Sequence, residues 1–209
     1  MVFMIINLTD LPAYYINLES EPIKGEDTNN LLVSLGFKKV RRAPGFPSKS
    51  HAIGVGMAHQ NVLLSRLKDG VVPFCLFEDD IVPKNFKQTI SVPDDADAIY
   101  LGVSKVGIND KSVTEKVFVD RVDGHEDIFK INNMLAAHAV VYLNYDYVDG
   151  LTKEIQVCID KNIPHDIAMA KYMSQHNVYA LDDPMFIQDG KFRHFTNRKI
   201  SDLDHVEIR

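Results

Sequence analysis

The amino-acid sequence predicts an α/β domain whose mixed, mainly parallel sheet is flanked by helices. Short apolar segments alternate along the chain with segments in which apolar residues recur at helical spacing, and this alternation is typical of such domains. One segment, residues 71–77, is almost continuously apolar, as expected for a strand that helices cover on both faces of a parallel sheet. The chain has 209 residues, so we expect one domain over residues 1–209, because domains usually hold about 100–200 residues.

The predicted elements follow one another in order along the chain. Strands are expected at residues 13–18, 38–43, 71–77, 97–102, 117–119, 128–131, 138–143 and 178–181, and helices at residues 28–35, 51–67, 147–159 and 166–175. A polar turn at residues 123–126 separates two of the short strands, which predicts an antiparallel hairpin inserted in the sheet.

Charge and cysteine content exclude several classes of function. A net charge of -6 and a pI of about 5.7 argue against a nucleic-acid partner, because neutralising phosphates needs clustered Lys and Arg. Cys75 and Cys158 lie in apolar segments and predict buried free thiols in a reducing compartment. The apolar start is too short for a signal peptide, and no segment approaches the roughly 20 apolar residues of a membrane span. We therefore expect a soluble, cytoplasmic protein.

Three consecutive acids, Glu78, Asp79 and Asp80, follow the apolar segment at residues 71–77. Burying them unpaired would cost on the order of several kcal/mol per ion, so we expect them at the strand end, where open α/β sheets bind ligands. In an extended chain Glu78 and Asp80 project to one side and Asp79 to the other. Two converging carboxylates suit a hard divalent cation. A solvated turn or helix cap is the alternative, but the apolar strand favours a metal or phosphate site.

Short motifs occur in a characteristic order between residues 14 and 189. They are Tyr15-Ile16-Asn17-Leu18, Gly54-Val55-Gly56-Met57-Ala58-His59, Leu76-Phe77-Glu78-Asp79-Asp80, Ala136-Ala137-His138-Ala139-Val140-Val141-Tyr142 and Pro164-His165-Asp166. In this order the chain resembles GT-A-fold (Rossmann-like) nucleotide-sugar glycosyltransferases, in particular the family-25-like transferases that build lipooligosaccharide. It is also similar to transferase domains of large algal viruses. It departs from the family pattern at Ala58, where Ser is usual, and at residues 19–21, where a basic continuation is usual.

The resemblance implies transfer of a sugar from a nucleoside diphosphate, usually UDP, to an acceptor hydroxyl of a glycan, with Mn²⁺ or Mg²⁺. It implies that Asp80 is a metal ligand and that Glu78 reaches the metal directly or through water. It implies further that Asp79 contacts the ribose or metal-bound water. In this fold a C-terminal residue often completes the metal shell, and either Asp189 or His194 is a candidate, with a solvated tail as the alternative for both.

The same resemblance assigns residues to the nucleotide and to the reaction. Asn17 and Leu18 should line the nucleoside pocket, because the first strand ends at the nucleotide crevice. Arg41 and Arg42 are candidates for binding phosphate, the alternative being the exposed edge of a strand. Asp166 is the candidate general base, which would act on the acceptor hydroxyl of an inverting reaction. A carboxylate at a helix start also suits plain capping.

For several residues the sequence leaves two interpretations open. His59 either supports the nucleotide pocket or is a structural histidine, and His138 belongs either to the core or to the acceptor site. Gly54 and Gly56 would let backbone approach a phosphate, although two glycines form no complete fingerprint. The acids at residues 182–183 indicate a turn rather than a second metal site.

Two other functions compete with sugar transfer. A phosphoacceptor receiver domain would place an acidic pair after the first strand, where this chain has Asn17 and Leu18. A non-catalytic module that binds nucleotides or carbohydrates would keep the same fold without the base. Such a module would show metal-dependent nucleotide affinity without turnover.

Overall fold

The structure is a computed structural model that describes residues 2–109, 112–114, 116–189, 198–204 and 206–208. The strands are β1 (Phe3–Asn7), β2 (Pro12–Asn17), β3 (Lys39–Pro44), β4 (Phe74–Glu78), β5 (Ile81–Pro83), β6 (Thr89–Pro93), β7 (Ala98–Tyr100), β8 (Gly107–Asn109), β9 (Ser112–Thr114), β10 (Val117–Val122), β11 (His125–Ile131), β12 (Ala139–Tyr142), β13 (Val178–Leu181), β14 (Phe186–Gln188) and β15 (Val206–Ile208). The α-helices are α1 (Pro22–Ser34), α2 (His51–Lys68), α3 (Tyr145–Asp160) and α4 (His165–Met173). In the described part of the chain, every helix is too short or too polar to cross a membrane.

A nine-stranded sheet forms the centre of the molecule, in the order β15-β10-β11-β13-β7-β12-β4-β2-β3. Strand β2 pairs in parallel with β3 and β4, β7 with β13, and β10 with β15. The pairs β4–β12, β12–β7, β13–β11 and β11–β10 are antiparallel. The predicted α/β class with a mixed sheet flanked by helices is confirmed, and the hairpin of β10 and β11 is the predicted antiparallel insertion.

Strand β4 explains how the sheet is covered. Its residues Phe74 and Leu76 belong to an apolar cluster with α2, α3 and α4, whereas Cys75 and Phe77 belong to a cluster with α1 and the β1–β6 pair. Side chains alternate between the two faces of a strand, and both faces here meet another layer. This is why the segment is apolar throughout and why its acidic continuation starts only at the sheet's edge.

The structure also contains elements that the sequence does not predict. Two-stranded pairs form from β1 with β6, β5 with β14, and β8 with β9. These strands have three to five residues, too few for an alternation of polar and apolar residues to stand out. Helix α1 begins at Pro22, before the predicted start at residue 28, because proline's fixed φ suits the first helical turn.

Candidate functional site

A cavity of about 820 Å³ opens at the carboxyl ends of β2 and β4. Its wall includes those strand ends, the first turns of α2 and α4, and the last residue of β14. Open α/β sheets bind their ligands at this edge. The predicted site residues that line the cavity are Asn17, Leu18, Glu78, Asp79, Asp80, Asp166 and Asp189.

Neither of the two adjacent arginines of β3 lines this cavity, but one of them contacts a residue that does. Arg41, predicted to bind the nucleotide, has an exposed side chain and does not line the cavity. Arg42 instead donates from Nε to Oδ1 of Asn17 at 2.9 Å, and from a terminal nitrogen to the Asn17 carbonyl oxygen at 3.0 Å. Because successive side chains of a strand point to opposite faces, a register difference of one residue decides which arginine contacts Asn17.

Asp79 is tied to α1 and β2. Nδ2 of Asn17 donates to Oδ2 of Asp79 at 2.8 Å, and Nζ of Lys24 forms an ion pair with Oδ1 at 2.7 Å. The Thr28 hydroxyl donates to the Asp79 carbonyl oxygen at 2.9 Å. Although burial opposes it, the hydrogen bond and charge of Asp79 raise the pKa of Lys24. These contacts fix the acidic triplet at the strand end.

Glu78 and Asp80 converge on the amide of Gln188. Nε2 of Gln188 donates to Oε2 of Glu78 at 2.5 Å and to Oδ1 of Asp80 at 3.0 Å. Burial, and then the charge of Glu78, raise the pKa of Asp80 to about 6. Burial also raises the pKa of Glu78. The protein therefore holds two carboxylates close enough to oppose each other's ionisation.

The chemistry of this carboxylate pair fits a divalent cation. Both side chains offer oxygen ligands, which Mn²⁺ and Mg²⁺ prefer, and a cation between them would offset the repulsion between Glu78 and Asp80. The amide nitrogen of Gln188 lies against both carboxylates, while its buried Oε1 has no hydrogen-bond partner among the described residues. Reversing the amide would turn that oxygen toward the carboxylates as a further ligand for a cation.

The sequence points to Asp189 or His194 for the remaining metal ligand, whereas the structure brings Gln188 to the carboxylate pair. Asp189 lines the cavity with an exposed side chain, and its backbone N–H donates to the carbonyl oxygen of Asp80 at 2.9 Å. His194 lies outside the described residues. Gln188 pairs with Ile81 where β14 meets β5. No sequence motif marks it, because this pairing joins two short strands far apart in the chain.

His59 and His165 lie next to Glu78. Nε2 of His59 is 3.1 Å from Oε1 of Glu78, and the two imidazole centroids are 4.4 Å apart. Burial lowers the pKa of His59 to about 3, and burial, followed by the charge of His59, holds the pKa of His165 well below its usual value. His59 is thus a buried histidine that contacts a site carboxylate. His165, the middle residue of the Pro-x-Asp motif, lines the cavity itself.

Asp166, the predicted general base, lies in the first turn of α4 and lines the cavity. The N-cap residue of α4 is Pro164, which makes no side-chain capping bond, so Asp166 is not the cap that the alternative interpretation requires. A negative charge in a first helical turn still stabilises the helix through the macrodipole. The general-base role of Asp166 stays a prediction.

The two glycines near the start of α2 allow close packing. A Cβ on Gly54 would lie 2.3 Å from the carbonyl oxygen of Phe46, and one on Gly56 would lie 3.2 Å from Cβ of His165. Glycine disfavours helices by about 1 kcal/mol relative to alanine. At both positions the glycine lowers helix stability but leaves room for Phe46 or His165. The backbone of α2 therefore approaches the Phe46 carbonyl and α4.

The remaining candidate residues have structural partners. His138 is buried, and its Nε2 lies 3.4 Å from the carbonyl oxygen of Phe186. Asp182 accepts hydrogen bonds from Ser201, and Asp183 forms an ion pair with Lys84. These acids lie in a turn between β13 and β14 and are absent from the cavity wall.

Comparisons with solved structures give partial overlaps at low identity. No family model and no curated protein matches the sequence, so the likeness to family-25-like transferases stays a prediction. The CTP:phosphocholine cytidylyltransferase of Streptococcus pneumoniae overlaps with a TM-score of 0.44 at 11% identity, covering 87% of this chain and 73% of that chain. A nucleoside-diphosphate-sugar pyrophosphorylase from Vibrio cholerae RC9 overlaps with a TM-score of 0.41 at 13% identity, covering 83% and 73%. A glycosyltransferase involved in glycosylation of the major capsid of PBCV-1 has a TM-score of 0.41 at 6% identity, covering 82% and 93%. Because these overlaps are partial, the function has to be inferred from the site itself.

Proposed function

We propose that this protein is a divalent-metal-dependent glycosyltransferase that moves a sugar from a nucleoside diphosphate, UDP in the first instance, to a hydroxyl of a glycan acceptor. One observation carries the proposal. The carboxylates of Glu78 and Asp80 converge at a strand end in the wall of a cavity of about 820 Å³. Small-molecule sites usually have volumes of about 300–1,000 Å³, so a nucleotide sugar fits the space.

Mn²⁺ or Mg²⁺ would be held by Glu78 and Asp80, with Asp189 or Gln188 as a further ligand. When bound, the ion supplies positive charge that anchors the donor diphosphate and offsets charge on the leaving group. The protein contributes the fixed spacing of the two carboxylates, because Gln188 bridges them and β5 holds the chain beyond Asp80.

Other residues of the cavity would bind and orient the substrates. Asn17 and Leu18 lie at the end of β2 and would contact the nucleoside. Asp166 would accept the proton of the acceptor hydroxyl as that oxygen attacks the anomeric carbon. The apolar side chains of Val106 and Leu135 line the same cavity and would exclude water, which otherwise competes with the acceptor.

The test is to incubate the purified full chain with a panel of nucleotide sugars, with and without Mn²⁺, and to measure release of nucleoside diphosphate. We expect metal-dependent release that increases with a suitable glycan acceptor. Asp166→Asn should lower kcat by about 100-fold or more and leave nucleoside diphosphate affinity within about twofold. The matched control is Asp146→Asn, because Asp146 also lies in a first helical turn but is exposed and does not line the cavity.

Two results would contradict the proposal. Metal-dependent nucleotide binding without turnover, and with no effect of Asp166→Asn on any step, would identify a non-catalytic binding module. Pyrophosphate release from a nucleoside triphosphate and a sugar phosphate, without sugar transfer, would identify a nucleotidyltransferase. Isothermal titration and chromatography of the products distinguish these outcomes.

A further inference from the structure

A second group of metal-ligating side chains lies on the opposite side of Glu78 from Gln188. It consists of His59 on α2, Glu78 on β4 and His165 on α4. One ring nitrogen of each histidine and a carboxylate oxygen of Glu78 lie within 4.8 Å of one another. The glutamate contacts His59 through Oε1 and Gln188 through Oε2. Its carboxylate therefore takes part in two separate groups of side chains.

Both histidines of this group contain a buried nitrogen without a partner. His59 is 0% exposed and His165 is 5% exposed. Among the described residues, Nδ1 of His59 and Nε2 of His165 have no hydrogen-bond partner. A buried polar atom left unpaired costs about 1–3 kcal/mol. His59 faces Glu78 through its other nitrogen, Nε2, so the unpaired Nε2 of His165 is the atom that indicates a missing ligand in the group.

The packing of α2 against α4 brings these rings together. Gly56 leaves only 3.2 Å between a notional Cβ and Cβ of His165, and the ring centroids are 4.4 Å apart. A neutral imidazole offers one lone pair from a ring nitrogen. Two neutral rings and one carboxylate form a typical set of ligands for a transition-metal ion.

We propose that His59, Glu78 and His165 bind one borderline divalent cation of the Zn²⁺ or Co²⁺ class, at a site distinct from the Glu78–Asp80 pair. Imidazole favours such ions over Mg²⁺. Metal–nitrogen bonds of about 2.0–2.1 Å separate neighbouring ligand atoms of a tetrahedral site by about 3.3 Å, and Nε2 of His59 already lies 3.1 Å from Oε1 of Glu78. Three protein ligands leave a coordination position for water or a substrate oxygen. The inference does not depend on sugar transfer.

The test uses Co²⁺ as a spectroscopic probe on the metal-free full chain. We expect one equivalent of Co²⁺ to give visible absorption bands that one equivalent of Zn²⁺ removes. His165→Gln should weaken Co²⁺ binding by about tenfold or more, since even the loss of an outer-shell partner costs about 10–100-fold, whereas Asp80→Asn should leave the bands in place. His176→Gln is the matched control, because His176 is partly buried but bonds to the carbonyl oxygen of Tyr172.

A second measurement uses the unmodified chain, so its result does not depend on whether the variants fold. Zn²⁺ added to protein labelled with ¹⁵N-histidine should shift the ring nitrogens of two histidines and leave the others unchanged. The site is refuted if Co²⁺ does not bind below millimolar concentration or if no histidine responds to Zn²⁺. It is also refuted if Asp80→Asn removes the bands while a folded His165→Gln keeps them, because the ion would then lie at the carboxylate pair.

Discussion

The Asp80 carboxylate lowers the stability of the folded, metal-free protein, and it is also a candidate ligand for a cation. Its pKa is raised to about 6, mainly by burial and next by the charge of Glu78. The folded metal-free protein therefore binds this proton more tightly than the unfolded chain does. The stability of the folded state therefore falls as pH rises from about 4 to about 6, because over this range the unfolded chain has released the proton and the folded chain still holds it. A bound divalent cation would reverse this effect by compensating the two negative charges.

Asp80→Asn should consequently stabilise the metal-free protein while removing the response to metal. With a chelator at pH 7.5 we expect Tm to rise by a few degrees, since about 1 kcal/mol shifts Tm by roughly 2–4 °C in chains of this size. The amide can still accept the hydrogen bond from Gln188. At pH 5 this advantage should be about half as large, because the unfolded wild-type chain is ionised above about pH 4 while the folded acid is still protonated. Differential scanning fluorimetry with and without Mn²⁺ measures both effects, and an equal Tm gain at the two pH values would contradict the explanation.

Gly25 on α1 lacks a side chain that would clash with Asn17, so we explain this glycine by the site and not by the helix. A Cβ at this position would lie 2.5 Å from Oδ1 of Asn17, so Gly25→Ala should displace the Asn17 side chain. Its 2.8 Å hydrogen bond to Asp79 would be lost. We expect nucleoside diphosphate affinity, measured by isothermal titration with Mn²⁺, to fall about tenfold, which corresponds to about 1.4 kcal/mol.

The control for this variant is Asn30→Ala, an exposed position of the same helix. Both substitutions raise helix propensity, but only Gly25→Ala places an atom against Asn17. If the two variants bind nucleotide equally well, Asn17 has no part in holding the ligand.

At the residue scale the sequence predicts the site as far as local patterns reach. Glu78 and Asp80 could be placed on one side of the chain, because strand alternation is a local property. The choice between Arg41 and Arg42 could not be made from the sequence, because it depends on the register of β3 against β2. The contact between Gln188 and Glu78 could not be predicted for the same reason, since 110 residues separate the two in the chain.

Helix α2 illustrates an element whose composition is set by its neighbours. Its glycines look like poor helix formers, yet Gly54 has the Phe46 carbonyl oxygen where a Cβ would be, at 2.3 Å. The contact is with backbone, so a larger residue cannot be accommodated by rotating a side chain. The element was predictable from its apolar spacing, but the reason for its glycines was not.

Gly54→Ala should therefore destabilise the protein although it improves helix propensity. We expect a loss of about 1–3 kcal/mol, as in other overpacked sites, together with weaker nucleotide binding because Phe46 lines the cavity. Urea unfolding measures the stability. Met57→Ala, at a partly exposed position of the same helix, is the control, and a neutral or stabilising effect of Gly54→Ala would show that the segment around Phe46 moves freely.

Across the whole molecule, the class of fold follows from the order of apolar segments, because a strand covered on both faces must be apolar throughout. Strand β4 meets this condition between the two apolar clusters. The exact pairing does not follow in the same way. The central sheet mixes parallel and antiparallel neighbours, and their arrangement is decided by long-range contacts that leave no periodic signal in the chain.

The charge of the cavity makes a prediction for the molecule as a whole. Of its described lining, one lysine, Lys24, faces six carboxylates, namely Glu21, Glu78, Asp79, Asp80, Asp166 and Asp189. A nucleoside diphosphate is itself an anion, so we expect UDP alone to leave Tm unchanged and UDP with Mn²⁺ to raise it. Saturation at about 100 times Kd corresponds to about 2.7 kcal/mol of added stability. An equal shift with UDP and a chelator would contradict this expectation.

The excess of negative charge around the cavity also sets the sequence of events during turnover. The ion has to arrive first or together with the diphosphate, because the bare lining repels the donor. Occupancy by donor would then follow the supply of free manganese or magnesium in the surroundings, and a sugar donor in plentiful amounts would remain unused wherever that supply runs low.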